Sequence, residues 1–247
     1  MEKAEYQRNY ELEQSYWWFA GVRAMVRCLL AASGASGRLG RVLDVGCGTG
    51  ALIDELKGRS DSIRGVDFSP EALRFCARRG LKCVVLADAR EVPFSDASFD
   101  IVTAIGLIEH LEDDDGFLAE MHRLVRPGGL LVLLTSSFPW LWSMHDVANQ
   151  HHRRYYLRPL RARVETAGFK TVRFSHMNFL LFPLLAPALV AHRWIVGLQS
   201  DHPERILPQP PRFVNAMLTG ILRIEAVLMR RLTLPWGVSM IGSFRRR

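Results

Sequence analysis

Arg41-Val42-Leu43-Asp44-Val45-Gly46-Cys47-Gly48-Thr49-Gly50 reads as a short buried strand running into a glycine-rich turn, and Ala51 to Lys57 reads as the helix that follows. Val42, Leu43 and Val45 are apolar and only Asp44 interrupts them, as expected of a parallel strand covered on both faces. Glycine accepts positive φ and lets a ligand approach the backbone closely. A strand, a glycine turn and a helix N-terminus together form a nucleotide-binding elbow.

Two ligand classes use such an elbow. Gly46-Cys47-Gly48-Thr49-Gly50-Ala51 can be laid onto the dinucleotide pattern G-x-G-x-x-G/A, but the third glycine comes one residue early, at Gly50. Asp44 stands two residues before the first glycine, where a pyrophosphate gains nothing from a carboxylate. A carboxylate there suits a ligand with a cationic ammonium or sulfonium. Asp44-Val45-Gly46-Cys47-Gly48-Thr49-Gly50 resembles the first motif, D-x-G-x-G-x-G, of class I S-adenosylmethionine (SAM) dependent methyltransferases. The plainer reading of a lone glycine loop is a tight turn with no ligand, so the later chain has to decide.

Ile63 to Val66 reads as a second strand, ending at Asp67. Asp67 lies roughly 20 residues beyond the turn, where an acid at a strand end accepts hydrogen bonds from ribose hydroxyls. The alternative role for Asp67 is helix capping. Ser69, Pro70 and Glu71 then open a helix as N-cap, first-turn proline and dipole-matched acid. Gly65-Val66-Asp67-Phe68-Ser69-Pro70 also resembles the family's second motif. Cys83 to Leu86 is a third strand, with Ala87-Asp88-Ala89 at its end, and the resemblance implies that Asp88 bonds the adenine amino group. Phe99 to Ile105 is a fourth strand, and Gly106 to Asp113 resembles the family segment that flanks the cofactor. Phe117 to Val125 is a helix stopped by Arg126-Pro127-Gly128-Gly129, and Leu130 to Leu134 is a fifth strand.

Strands alternating with helices argue for a doubly wound, mostly parallel sheet, whose ligands bind beyond the carboxyl ends of the strands. Asp44, Asp67, Asp88 and Ile105 to His110 all fall at those ends. The resemblance, over about residues 40–175, implies SAM as cofactor and S-adenosylhomocysteine as product. Its contacts would come from Asp44, Gly46, Cys47, Gly48, Gly50, Asp67, Phe68, Asp88, Ala89 and Ile105. The three glycines would give its amino-acid and ribose parts a close backbone approach.

The loop after the fifth strand holds the densest polar chemistry: His145, Asp146, His151, His152, Arg153, Arg154 and Tyr155. Its W-S-x-H-D and H-x-R-R-Y runs resemble a subgroup of the same family. One reading makes His145, His151 or His152 a general base, since imidazole titrates near neutrality. Another makes the arginines a clamp for an anionic group. A third is a structural loop held by ion pairs. Metal spacing is not matched, and no metal is expected.

Residues 5–32 read as one helix carrying the aromatic run Tyr16-Trp17-Trp18-Phe19, either core or a lid. Tyr156 to Ala167 is a helix and Phe169 to Phe174 a sixth strand. Met177 to Ala191 is strongly apolar but short for a membrane span. A proline-rich connector over 202–211 leads to a second helix, Phe213 to Leu234, with arginines at its margins. This pair suits a buried cap or contact with a membrane surface. Trp236 to Phe244 reads as a closing strand, and the resemblance places it antiparallel beside the fifth.

The expected fold is therefore α/β: a Rossmann-like, mostly parallel seven-stranded sheet with a C-terminal antiparallel strand. Residues 1–36 form a helical lid, 37–175 the cofactor-binding core, 176–235 an apolar helical insertion, and 236–247 the closing strand. The expected activity is transfer of a methyl group to an O, N or C atom of a small, hydrophobic or lipid-like acceptor. A non-catalytic scaffold and a nicotinamide-dependent oxidoreductase are the alternatives. Net charge is +7, but the arginines do not gather with interleaved aromatics, so nucleic acid is not an expected partner. An oligomer is compatible with the apolar insertion. Four cysteines without metal-like spacing and a polar start, Met1-Glu2-Lys3-Ala4-Glu5, lead to the expectation of a reduced, cytoplasmic protein that can touch the inner membrane face.

Overall fold

The computed structural model describes residues 3–196 and 210–247. Seven strands form one sheet: β1 Arg41–Val45, β2 Ser62–Asp67, β3 Val84–Leu86, β4 Phe99–Ile105, β5 Val125–Ser136, β6 Phe169–Met177 and β7 Ser239–Arg246. Their spatial order is β3-β2-β1-β4-β5-β7-β6. The β1–β2, β1–β4, β2–β3 and β4–β5 pairs are parallel. β7 lies antiparallel between β5 and β6, the C-terminal insertion that the closing stretch leads one to expect. The order reverses beside β1, which makes the crevice there the natural ligand site of such a sheet.

The helices are α1 Lys3–Leu12, α2 Trp17–Ala32, α3 Ala51–Leu56, α4 Pro70–Arg78, α5 Asp114–Leu124, α6 Met144–Ala148, α7 Leu157–Thr166, α8 Phe182–Val196 and α9 Arg212–Leu228. Burial of alternate strand residues divides the core between the two faces of the sheet. Val42, Val132, Leu134 and Ile241 pack toward α2, α3 and α9 through Met25, Leu29, Ile53 and Leu222. Leu43, Val102, Leu131 and Phe244 pack toward α5 and α7 through Phe117, Met121, Leu160 and Val164. Each face thus excludes water from a continuous apolar layer, the dominant favourable term in folding.

The N-terminal stretch is two helices, not one. The break falls at Glu13 to Tyr16, and its cause lies far along the chain. Asn215 Oδ1 on α9 accepts from Trp17 N at 2.9 Å, and its Nδ2 donates to Ser15 O at 2.8 Å. α9 therefore caps α2. The two helices also pack closely: a Cβ built on Gly21 would lie 2.2 Å from Leu222 Cδ1. Lower on α9, buried Glu225 accepts from the backbone amides of Asn178 and Leu180 at 2.8 and 2.7 Å, fixing the turn that leaves β6. The inner face of α9 is thus part of the core, while Phe213, Met217, Ile224 and Val227 stand exposed on its outer face. No helix among the described residues is long and apolar enough to cross a membrane. Most of the proline-rich connector, 202–209, lies outside the described residues.

Candidate active site

The turn after β1 is shaped by three glycines with positive φ: Gly46 at 71°, Gly48 at 53° and Gly50 at 85°. Such backbone is strained for any residue with a Cβ. Gly46 and Cys47 donate to Val66 O at 2.8 and 3.0 Å, tying the turn to the end of β2. Gly48 N donates to Asp67 Oδ2 at 2.9 Å, and Ser69 N donates to Asp67 Oδ1 at 3.0 Å. Asp67 therefore holds the glycine turn and the start of α4 together. Burial raises its pKa, and the amides of Ser69 and Gly48 oppose that. Ser69 occupies the N-cap position of α4 without a side-chain capping bond, and its own N–H is held by the Asp67 carboxylate.

The three glycines do different work. A Cβ on Gly48 would meet nothing within 4 Å, so the turn opens onto free space there. A Cβ on Gly50 would lie 2.5 Å from Leu81 Cδ1 and 3.0 Å from Cys76 Sγ. Gly50 does not border the cavity described next. Its Cα packs against Leu81 and Cys76 at the α3 N-terminus.

A cavity of about 700 Å³ opens along the carboxyl ends of the strands. Asp44, Gly46, Cys47 and Gly48 line it from β1 and its turn. Asp67, Phe68, Asp88 and Ala89 line it from β2 and β3, and Ile105 from β4. Phe68 is 68% exposed at the rim, a flat apolar surface beside the carboxylates. This end fits the cofactor named by the sequence motifs: open backbone at Gly48, carboxylates on two strand ends, and an aromatic shelf. Asp88 is less available than expected. Both its oxygens bond the Arg90 guanidinium, at 2.7 and 3.0 Å, and that hydrogen bonding holds its carboxyl low. An adenine amine there would share the carboxylate with Arg90.

Asp44 is buried, and its carboxyl accepts from Thr103 Oγ1 at 2.5 Å. Burial, helped by the negative charges of Asp67 and Glu13 and opposed by Thr103, pushes it up to about 7. Glu13, at the α1–α2 break, is also buried. It accepts from Thr49 Oγ1 and from Arg79, whose Nε donates to Thr49 O at 3.0 Å. The N-terminal helices are thereby fastened to the glycine turn. Nothing in the local sequence around Glu13 signals this contact.

The other end of the cavity mixes apolar walls with a polar cluster. Trp17, Trp18 and Val22 of α2 face Leu185, Ala188 and Leu189 of α8 across it. His145, His151 and His152 all border it. His151 is the one for which an ion-pair geometry with Asp146 is seen. Its Nδ1 lies 2.9 Å from Asp146 Oδ1, which also accepts from Arg154 Nε at 2.7 Å. Asp146 Oδ2 accepts from Ser143 N and Oγ at 2.8 and 3.3 Å. Burial alone would raise the Asp146 carboxyl; the bonds from His151 and Arg154 outweigh it and hold the carboxyl well below the usual range. An ionised Asp146 keeps the proton on His151 Nδ1 and leaves Nε2 as the basic nitrogen. His152 is exposed and contributes its backbone N–H to Glu109 O at 2.7 Å. The His145 ring stands 6.3 Å from His151.

Two further residues at the site, Glu109 and His110, lie in the stretch that the sequence places at the strand ends, without a role of their own. Glu109 is buried, accepts from Thr135 Oγ1 at 2.8 Å, and has its pKa raised by burial. The His110 ring meets His151 edge-on at 4.7 Å, and burial, foremost among the causes, pushes it down to about 4. His110 is therefore neutral at physiological pH. The Glu-His pair directly after an apolar strand was the available signal. Among the described residues no group of three or more His, Cys, Asp or Glu is arranged to hold a metal.

Residues 43–133 match the family model described as a methyltransferase domain. A ubiquinone/menaquinone biosynthesis C-methyltransferase from Citrifermentans bemidjiense is 37% identical over 154 residues, covering 57% of this chain and 61% of that protein. The match thus spans about three fifths of that relative's length. A SAM-dependent methyltransferase from Thermotoga maritima superposes with a TM-score of 0.59 at 18% identity, covering 99% of this chain and 96% of that one. Phosphoethanolamine N-methyltransferase 2 from Haemonchus contortus, solved in complex with SAM, gives a TM-score of 0.56 at 19% identity over 88% of this chain and 50% of that one. The fold is that of the class I SAM-dependent methyltransferases. Within it, residues 43–133 are the part that matches the methyltransferase-domain model.

Proposed function

We propose that the protein transfers a methyl group from SAM to a small, mostly apolar acceptor bearing a protic group, and releases S-adenosylhomocysteine. The observation that carries this reading is the cavity that joins the glycine turn and Asp67 to apolar walls and to His151, whose Nδ1 meets buried Asp146 behind it. The similarity to a quinone-biosynthesis C-methyltransferase supports an apolar ring as acceptor.

When bound, SAM supplies a methyl made electrophilic by its sulfonium. Gly46 and Gly48 would admit its amino-acid end, Asp67 its ribose hydroxyls, and Phe68 and Ala89 its adenine. α2 and α8 hold the acceptor and exclude water, so orientation accounts for much of the rate. His151 Nε2 receives the acceptor's proton as the new bond to the methyl carbon forms. Asp146 and Arg154 keep the imidazole in the tautomer and direction that this requires. A base is needed only for an acceptor that keeps its proton near neutrality, so the pair favours a phenol-type hydroxyl.

Asp44 provides a test that needs no acceptor. Its folded carboxyl titrates near about 7, up from 3.8. The folded state thus binds a proton that the unfolded chain has released, so this group's contribution to stability falls as pH rises from 3.8 to about 7. A cationic ligand favours the ionised form. SAM binding below that pH therefore releases a proton, and affinity rises with pH until it levels off above about 7. Calorimetry in two buffers of different ionisation enthalpy reads the released proton directly. Asp44→Asn is expected to abolish the release; an unchanged release in that variant would dismiss Asp44 as its source.

A further inference from the structure

α9 is apolar on two opposite faces, and the fold covers one of them. Leu222, Ala226 and, just past the helix end, Met229 are buried in the core, with Leu222 against Gly21 of α2. At about 100° per residue, Phe213, Met217, Ile224 and Val227 fall within about 80° of arc on the reverse side. All four are exposed, from 56% for Met217 to 74% for Phe213. Gly220 lies in the same row, so no polar side chain interrupts it. One exposed apolar residue is ordinary, but a stripe of four along a single helix marks a surface that something covers.

The charges on α9 are equally ordered. Arg212 and Arg223, with Arg230 just past the helix end, run along one edge of the stripe, about 80–100° from its centre. All three are exposed, and none pairs with another described residue. The one carboxylate of the helix, Glu225, is buried on the inner side and engaged by the amides of Asn178 and Leu180. A second copy of this face would therefore offer the arginines no acid, and a contact of stripe on stripe would carry only positive charge at its margin. An anionic lipid surface supplies both complements, acyl chains for the stripe and phosphates for the arginines.

We propose that the outer face of α9 docks onto an anionic phospholipid bilayer. The helix lies in the plane of the interface, with Phe213, Met217, Ile224 and Val227 among the acyl chains and the three arginines on lipid phosphates. α9 carries α2 with it, since Asn215 bonds both Trp17 N and Ser15 O. Trp17 and Trp18 border the apolar end of the cavity, so docking leaves one helix between that wall and the lipid. An acceptor that partitions into the bilayer is then concentrated beside the site. This last consequence rests on the methyltransferase reading; the docking does not.

Cosedimentation of the full chain with vesicles tests the docking. Phosphatidylcholine vesicles containing about one third phosphatidylglycerol should bind the wild type about tenfold or more tighter than phosphatidylcholine alone, with the gap closing as salt rises. Arg212→Gln/Arg223→Gln/Arg230→Gln should lose most of that preference, each arginine near an anionic surface contributing about fivefold. Phe213→Ser/Ile224→Ser should weaken binding to both kinds of vesicle by about tenfold or more. Lys82→Gln/Arg158→Gln/Lys170→Gln removes the same charge from exposed positions off α9 and should bind as the wild type does. All these side chains are exposed, so melting temperature should not move. A wild type that ignores the anionic vesicles, or α9 variants that bind like it, would overturn the docking. So would an equal loss in the control variant, since net charge alone would then account for binding. Sedimentation equilibrium without lipid separates the other occupant: a wild-type dimer that Phe213→Ser/Ile224→Ser turns into a monomer would assign the stripe to a second copy instead.

Discussion

Removing residues 236–247 is expected to leave a chain that does not fold. Among the described residues β7 alone joins β5 to β6 in the sheet, pairing with seven residues of one and eight of the other. Met240, Ile241, Ser243 and Phe244 are fully buried, on both faces of the sheet. Without the strand, both neighbours would present unpaired backbone, and β6 with α7 would lose its attachment. The same segment fastens distant parts: Ser243 Oγ meets Ser33 Oγ at 2.8 Å, and Arg245 donates to Ser33 O and Gly128 O, each at 2.7 Å. A milder version is Phe244→Ala, with an expected loss of about 3–5 kcal/mol, because its neighbours Phe174 and Phe169 are held by their own strand and cannot collapse into the gap. Chemical denaturation of that variant, and calorimetric melting of the truncated chain, measure both. A truncated chain melting cooperatively at the wild-type temperature would show that the sheet does not need β7.

The second large effect is on chemistry. With 2,3-dihydroxynaphthalene as surrogate acceptor and labelled SAM, His151→Ala should lower kcat by about 10²- to 10⁴-fold, the usual contribution of a positioned base. Asp146→Asn should lower it in the same sense, since Asp146 holds the His151 tautomer. Its bonds to Arg154 and Ser143 make it structural as well, so S-adenosylhomocysteine affinity must be measured in parallel. The discriminating readout is the pH profile. Loss of a base flattens the dependence of kcat on pH, whereas a disturbed loop lowers the rate equally at every pH. His145→Ala and His152→Ala are expected to change kcat little. A larger loss in either than in His151→Ala would move the base to that residue.

The core of this fold was legible because its signals are local. The run from Arg41 to Gly50 specifies strand, turn and helix start from adjacent residues, and the alternation that follows repeats the pattern through Ile105. The closing strand was legible through its apolar character and the family resemblance. What stayed hidden depends on partners far apart in sequence. Asn215 caps α2 across 198 residues, and Glu225 fixes a turn 47 residues before it. Helical periodicity marks both as ordinary polar positions on an amphipathic helix. The break at Glu13 was missed for the same reason, since its partners Thr49 and Arg79 lie in the nucleotide-binding half. At the site, spacing located the carboxylates but not their occupancy. Asp88 is shared with Arg90, only two residues away, and Gly50 serves packing against Leu81. The loop after β5 showed three histidines with equal claims. Only the tertiary contact of Asp146 with His151 separates them, and a side-chain contact of that kind is not written in residue spacing.

Binding of SAM at the glycine turn underlies every step of the proposed chemistry. Calorimetric titration of the wild type and of Asp67→Ala with SAM and S-adenosylhomocysteine tests it most directly. The wild type is expected to bind both, one molecule per chain. Asp67→Ala should bind them at least tenfold more weakly, through loss of both the ribose contact and the Gly48 and Ser69 anchors of the turn. A folded wild type that binds neither ligand would contradict the cofactor assignment and everything built on it.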